Sequence, residues 1–85
     1  MQKPIRLSGH ARYQLTRRGV SEAEVLETIQ TSEWEPAELN RLQCRKGFPF
    51  GEEWNGKFYI AKQVRPIFVE EANEIIVVTV NSYYF

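Results

Sequence analysis

The sequence has few residues that bind metals or form crosslinks, since its 85 residues include one cysteine and one histidine. Cys44 alone cannot form an internal disulfide, and Cys44 with His10 does not provide a set of zinc ligands. A chain of this length also has a thin core, because small domains bury only about 60% of the surface of the unfolded chain. We therefore expect no metal site, no deep cofactor cavity and no cofactor.

Long apolar runs are also absent. No segment approaches the ~20 consecutive apolar residues of a membrane span, and none has the pattern of a signal peptide. The hydrophobic content of 42% is ordinary for a globular protein. These features predict one domain over residues 1–85, located in the cytoplasm and without a membrane partner.

The net charge is zero, with eleven basic and eleven acidic residues, but the two signs are segregated along the chain. Residues 1–20 carry five Lys or Arg and no acid, and residues 21–40 carry six Glu and no base. Residues 41–67 carry six Lys or Arg against two Glu, and residues 68–85 carry three Glu alone. Two alternatives follow. The fold either gathers the basic segments into a surface for an anionic partner, or places them beside acidic segments that neutralise them.

Two short helices are indicated in the first third of the chain. Ser8 is a candidate N-cap for a helix over residues 10–18, and Gly19 stands where a left-handed residue ends a helix. The segment Ser-Glu-Ala-Glu at residues 21–24 is a capping box, so a second helix begins at Ser21. That helix ends before Pro36, because the residue before a proline disfavours the helical conformation.

The remaining pattern predicts strands. Apolar residues alternate at residues 5–7, at 42–45 and from 58 up to Pro66, and residues 75–84 are rich in β-branched and aromatic side chains. Asn55-Gly56 is a hairpin turn signal, and Pro66 should mark a bulge or an edge. The predicted fold class is α+β: a strand, two helices and a three-stranded antiparallel meander, with both helices on one face of a curved sheet.

Strand parity then sorts the side chains, because residues two apart in a strand share a face. The set predicted to face the helices is Leu42, Cys44, Phe58, Ile60, Val64, Ile76, Val78 and Val80. The opposite set is Arg41, Gln43, Arg45, Tyr59, Gln63, Arg65, Thr79, Asn81 and Tyr83, which includes three arginines and no acid. Lys62 has the parity of the core, so either it reaches solvent at the sheet end or the parity slips at a bulge near Pro66.

One segment carries a family resemblance. Residues 10–25 read His-Ala, six residues, Arg-Gly-Val-Ser, three residues and Val. This pattern resembles the N-terminal signature of a family of small bacterial domains of unknown function that is assigned to the RelE/ParE-like toxin fold. Residues 62–71, 75–80 and 83–85 are similar to the terminal strands of the same family. Gln14 departs from the wider family, in which many members have arginine, so no catalytic role is assigned to that position.

The resemblance implies a toxin-type domain, and related toxins include messenger-RNA cleaving enzymes and gyrase poisons. RNA cleavage without a metal needs an acid, a base and cations that stabilise the phosphorane. We take His10, Arg65 and Tyr83 as candidate catalytic residues, since a histidine ordinarily titrates near neutrality, arginine binds phosphate and tyrosine stacks on bases or donates a proton. On a helix, Tyr13 and Arg17 share a face with His10. The candidate nucleic-acid contacts are Arg12, Arg17, Arg41, Arg45, Lys62 and Gln63.

Two hypotheses for the function follow. The first is an RNA-binding protein or metal-independent endoribonuclease whose partner is RNA or the ribosome. The second is a non-enzymatic interaction module that offers the same fold to a protein such as a cognate antitoxin or a gyrase. RNA binding requires a connected basic patch on the sheet, and a patch cancelled by the acidic second helix would weaken that hypothesis. Cys44 is expected to pack as a small hydrophobe and not to act as a nucleophile.

Overall fold

The computed structural model describes residues 3–85. Within that range two helices and six strands follow one another, and the first strand, two helices and later strands appear in the predicted order. Their bounds are β1 (Ile5–Leu7), α1 (Gly9–Arg18), α2 (Glu22–Thr31), β2 (Glu35–Pro36), β3 (Leu42–Gln43), β4 (Lys46–Trp54), β5 (Lys57–Glu70) and β6 (Ile75–Tyr84).

The fold class is α+β, as predicted, but the sheet is mixed and has six strands within the described residues. The strand order is β1-β6-β5-β3-β2, and β4 pairs with β5 beyond the end of β3. Strands β4, β5 and β6 are antiparallel neighbours, whereas β1 runs parallel to β6 and the β2–β3 hairpin extends the opposite edge. The prediction of a simple three-stranded meander is therefore wrong: it leaves out the parallel pair and the added hairpin.

The helix caps agree with the sequence predictions. Ser8 Oγ accepts a hydrogen bond from Ala11 N at 3.1 Å, and Gly19 ends α1 in the left-handed conformation at φ +68°. Ser21 and Glu24 form both hydrogen bonds of the capping box, at 3.1 Å and 3.0 Å. These local contacts fix the sharp turn between the two helices, and they satisfy backbone groups that the helix ends would otherwise leave unpaired.

The core lies between the helices and one face of the sheet. It contains Leu7, Ala11, Val20, Val25, Ile29, Cys44, Val64, Phe68, Ile75, Val77 and Val80. Ile76 and Val78 were predicted for this face, but the register between β5 and β6 shifts opposite Ile67 and Phe68. Ile67 pairs with Thr79 and Phe68 pairs with Val77, so Val78 is an extra residue. This bulge reverses the parity, and the core side chains of β6 are Ile75 and Val77 before it and Val80 after it.

Pro66 lies inside the sheet on the central strand β5, although prolines favour edges and bulges. It is buried and pairs with Val80 on one side. On the other side its carbonyl accepts a hydrogen bond from Cys44 N at 3.4 Å. In a strand the N–H and C=O of one residue point to the same side, so the donor that proline lacks faces the junction of β3 and β4. The missing donor explains why this edge of β5 is paired by two strands and not by one continuous strand.

The β4–β5 hairpin end departs from the predicted parity. The Asn55-Gly56 turn forms as expected, with both residues at positive φ. Phe58 and Ile60 were predicted to be buried, but they are 60% and 75% exposed. The register between β4 and β5 shifts between Pro49 and Glu52, next to these residues, and the simple alternation of faces does not continue to this end of β5. Tyr59 was predicted for the open side, but its ring lies 5.6 Å from that of Tyr84, on the helix side. Trp54 and Phe50 complete this aromatic cluster around Tyr84.

Candidate nucleic-acid interface

The face of the sheet opposite the helices carries a cluster of polar side chains on its central strands. The pairs Gln63–Tyr83, Arg65–Asn81 and Gln43–Ile67 place these six residues side by side, on the face opposite Val64, Pro66 and Phe68. We call these six residues the open face. The residues that β5 and β6 contribute to it include no carboxylate. The surface is therefore cationic at its centre and amide-rich around it.

Arg65 is the central residue of the open face. Its Nη1 donates to Gln43 Oε1 at 3.3 Å, and its Cζ lies 5.6 Å from the centre of the Tyr83 ring. Its Nε is buried and has no hydrogen-bond partner. No carboxylate of residues 3–85 forms an ion pair with it. A half-buried cation without a counter-charge is costly, so an anion that reached it would be stabilised.

A groove of about 610 Å³ opens beside Arg65. Its floor comes from Gln43, Arg65 and Ile67, and its wall comes from residues 36–39, at the end of β2 and in the loop between β2 and β3. Arg41 also lines it and forms no ion pair with the described carboxylates. Residues 36–40 were not predicted to belong to a site, although Pro36 and Asn40 are turn-forming residues that could have indicated a loop here.

His10 lies in the other layer of the molecule. It is exposed in the first turn of α1, and α1 packs on the face of the sheet opposite Arg65 and Tyr83. The predicted neighbours of His10 are found on the same helix, where Arg17 Nη1 donates to the Tyr13 hydroxyl at 3.0 Å. The structure thus brings Arg65 and Tyr83 together and leaves His10 apart from them. The three candidate catalytic residues do not share one site.

Two of the candidate nucleic-acid contacts are neutralised by neighbouring acids. Arg12 pairs with Glu22 of α2 at 2.9 Å, and Arg45 pairs with Glu35 of β2 at 2.9 Å. Both are exposed ion pairs, which contribute little stability but cancel charge locally. Gln63 and Arg41 remain available on or beside the open face, and Arg17 remains available on α1.

Lys62, another candidate nucleic-acid contact, is buried in the structure. It faces the helices, with its side chain 7% exposed, and its Nζ lies 2.9 Å from Glu24 Oε1. The same Nζ donates to Gly19 O at 2.7 Å and lies over the Phe50 ring. The ammonium group is therefore paired inside the fold, on the face of the sheet opposite Arg65 and Tyr83, and is not part of the open face.

The basic residues do not form one connected patch. Among residues 3–85, six of them are ion-paired with a glutamate: Lys3, Arg6, Arg12, Arg45, Lys46 and Lys62. Arg41 and Arg65 are unpaired beside the groove, whereas Arg17 and Arg18 are unpaired at the end of α1. The acidic second helix neutralises Arg12, Lys46 and Lys62. Among residues 3–85, the unpaired basic residues near the sheet are Arg41 and Arg65 at the groove and Lys57 at the start of β5.

Gln14 has a structural role that explains a polar residue in the core. It is 7% exposed, and its Oε1 accepts a hydrogen bond from Val80 N at 2.8 Å. Strand β1 pairs only with the start of β6, so the outer edge of β6 near Val80 lacks a strand partner. The side-chain carbonyl of Gln14 satisfies that edge donor, which would otherwise be buried and unpaired.

Cys44 is buried, and its Sγ donates to Thr28 O at 3.5 Å. Burial, with a smaller contribution from the charge of Glu35, raises the pKa of the Cys44 thiol to about 11. Nucleophilic cysteines have lowered pKa values, so this thiol is not suited to that role.

The raised pKa of Cys44 predicts an alkaline loss of stability. In the unfolded chain the thiol ionises near pH 9.0, whereas in the folded chain it keeps its proton to about pH 11. The free energy of unfolding should therefore fall as the pH rises between these values, and the contribution of Cys44 should be complete below them. Urea denaturation from pH 7 to 10.5 measures this. The Cys44→Ala variant should have a shallower pH dependence, and an unchanged slope would contradict the assignment.

Comparison of the chain with protein-family models, with curated proteins and with solved structures found no match. Within residues 3–85, no three His, Cys, Asp or Glu side chains lie close enough together to hold a metal ion. Neither helix in that range combines the length and the apolar character needed to cross a bilayer.

Proposed function

We propose that this protein is a cytoplasmic domain of the RelE/ParE-like type that holds single-stranded RNA on its open face. The observation that carries the proposal is the pair of Arg65 and Tyr83, stacked on an uncovered sheet face and free of carboxylates. Tyr83 is 44% exposed, so its ring offers a surface on which a base stacks. Arg65 supplies positive charge for the adjoining phosphate. The described residues form no connected basic patch, because α2 neutralises Arg12, Lys46 and Lys62, and this weakens the RNA hypothesis. The proposal is therefore confined to a short RNA segment held at Arg65 and Tyr83.

The surrounding residues suit the same ligand. Gln63 and Asn81 flank the Arg65–Tyr83 pair in the strand register and provide amide donors and acceptors for base edges or the ribose 2′-hydroxyl. The resemblance of residues 10–25, 62–71, 75–80 and 83–85 to RelE/ParE-like domains supports the proposal, because that group includes RNA-cleaving toxins. Cleavage is not part of it: His10 is in the other layer, so binding on the open face does not use His10 as an acid or base.

The proposal predicts that Tyr83→Ala and Arg65→Gln each weaken RNA binding about tenfold, since loss of a stacked base or a phosphate contact costs about 1–3 kcal/mol. Fluorescence anisotropy with a labelled 12-nucleotide single-stranded RNA, in EDTA and at low salt, measures the Kd. Tyr83→Phe should bind nearly as well as the unmodified protein, because it keeps the ring.

The chain offers a matched control on the opposite layer. Tyr13 is 63% exposed and lies beneath Arg17, whose Cζ is 5.5 Å from its ring, so this pair has the same chemistry as Arg65–Tyr83. Tyr13→Ala and Arg17→Gln should leave the Kd unchanged. If they weaken binding as much as the sheet variants do, or if the protein does not bind RNA at all, the open face is not the RNA site.

A second candidate function, a protein-interaction module, is favoured by the apolar end of the sheet. Phe58, Ile60 and Phe85 are each at least 60% exposed, and Phe85 N donates to Ala61 O at 3.0 Å, which extends the sheet to this end. Exposed apolar side chains gathered in one region are typical of protein contacts. Binding to a purified antitoxin or gyrase that is lost in Ile60→Asp and retained in Arg65→Gln would select this function over RNA binding.

A further inference from the structure

The groove beside the open face combines two unpaired arginines with an apolar wall. Arg65 on its floor and Arg41 beside its wall form no ion pair with carboxylates of residues 3–85. Most other cations in that range are paired with glutamates, so two free guanidinium groups at one groove are a distinct feature. Guanidinium groups bind phosphate oxygens in pairs of parallel hydrogen bonds, a geometry that lysine cannot reproduce.

The loop that forms the wall is strained. Leu39 and Asn40 both have left-handed backbone conformations, at φ +60° and +59°. Asparagine tolerates this region, but a leucine there costs of the order of 1–2 kcal/mol. The Leu39 side chain is also 78% exposed at the groove. A strained backbone that presents an apolar side chain to solvent is stable only because its surroundings hold it, and such strain is concentrated at ligand sites.

We propose that this groove is a phosphoryl-binding site, in which Arg41 and Arg65 hold the anionic group and Leu39, Pro36 and Ile67 contact the apolar part of the same ligand. Its volume of about 610 Å³ lies in the range of small-ligand sites. The site rests on the proposed function, and its ligand is a phosphate of RNA, either an internal phosphodiester or a terminal phosphomonoester. The groove lies at one end of the open face. Arg65 belongs both to the open face and to the floor of the groove.

Glu38 adds a negative charge to the groove that also contains the positively charged Arg41 and Arg65. It lines the same groove and forms no ion pair with the described basic residues. Its carboxylate repels a bound phosphate, so its removal should strengthen binding, whereas removal of either arginine should weaken it. Paired effects of opposite sign separate a specific site from general damage to the fold.

Inorganic phosphate is the probe of this site. Titration into ¹⁵N-labelled protein at constant ionic strength should shift the amide signals of residues 37–43 and the Arg65 Nε–H signal. Arg65→Gln and Arg41→Gln should each weaken the apparent affinity about tenfold, and Glu38→Gln should raise it about threefold. Arg18→Gln, at the end of α1, is the matched control and should have no effect. Small shifts spread over the surface and equal in all variants would overturn the site.

Two further measurements make the result decisive. If Arg65→Gln perturbs the sheet, as judged from its amide spectrum, Arg41→Gln and Glu38→Gln in the loop still test the site. RNA oligonucleotides with and without a terminal phosphate identify the source of the phosphoryl group. RNA binding that depends on Tyr83 without any response of residues 37–43 to phosphate would overturn the groove site and leave the proposed function standing. A phosphate response without RNA binding would overturn the proposed function and leave the groove site standing.

Discussion

Gly19→Ala should destabilise the protein by about 3 kcal/mol or more, the largest effect of any single substitution considered. Gly19 is at φ +68°, a conformation that costs an alanine about 1–2 kcal/mol. A Cβ there would also overlap the Tyr84 hydroxyl and lie 2.8 Å from Trp54 Cζ3. Both neighbours belong to the aromatic cluster, so neither moves freely. The midpoint of urea denaturation measures the effect, which is a large part of the total stability of a domain of this size.

Gly51→Ala is the matched control for this prediction. Gly51 has nearly the same backbone conformation, at φ +66°, but nothing lies within 4 Å of the position of its Cβ. Its replacement should cost only the conformational part, about 1–2 kcal/mol. If the two alanine variants lose the same stability, the packing of Gly19 against Trp54 and Tyr84 is not a significant constraint.

The environment of Gly19 explains why this glycine belongs to the architecture. The Tyr84 hydroxyl and Ser82 Oγ donate to Arg18 O at 2.5 Å and 2.8 Å, and Lys62 Nζ donates to Gly19 O. Side chains of the sheet thus satisfy the last carbonyls of α1. Burial raises the pKa of Tyr84, which favours the protonated hydroxyl that donates this hydrogen bond. A side chain at residue 19 would separate the helix end from these donors.

The sequence was most informative where structure is decided locally. The caps at Ser8, Gly19 and Ser21 and the Asn55-Gly56 turn depend on residues a few positions apart, and all four form as predicted. The bulge expected near Pro66 is present, since the register shift falls beside it at Ile67 and Phe68. The sequence could not show that the extra residue is Val78 on the partner strand, because Val78 lies in a run of β-branched residues without a glycine or proline to mark it. Its position depends on pairing with a strand that is distant in sequence.

The candidate site was likewise predictable where it depends on local patterns and not where it depends on contacts between distant segments. Parity placed Arg65, Gln63 and Tyr83 together correctly, since they lie on the same side of the bulge. Strand parity also predicted that Lys62 lies on the core face of the sheet. It could not show that Glu24, from a helix far away in sequence, provides the counter-charge. The separation of His10 from Arg65 depends on the layer in which α1 packs, and helical periodicity shows only which residues share a helix face.

The buried ion pair of Lys62 and Glu24 leads to the second large effect. Glu24→Gln should destabilise the protein by about 3 kcal/mol, because it leaves an ammonium group that is 7% exposed without its counter-charge. The substituted amide can still accept the hydrogen bond from Ser21 N, so the capping box is preserved and does not account for the loss. Lys62→Met should cost less, about 1–2 kcal/mol, because Glu24 is 24% exposed and regains water.

The double variant Glu24→Gln with Lys62→Met distinguishes an uncompensated charge from a simple loss of contacts. If the cost of Glu24→Gln comes from the isolated ammonium group, removal of that group should restore stability to near the level of Lys62→Met alone. Glu27→Gln is the control, because Glu27 pairs with Lys46 at 3.1 Å in an exposed position and its loss should cost only about 0.5 kcal/mol. Urea denaturation of the four variants measures these values. A double variant less stable than both single variants would show that the two residues stabilise the fold independently.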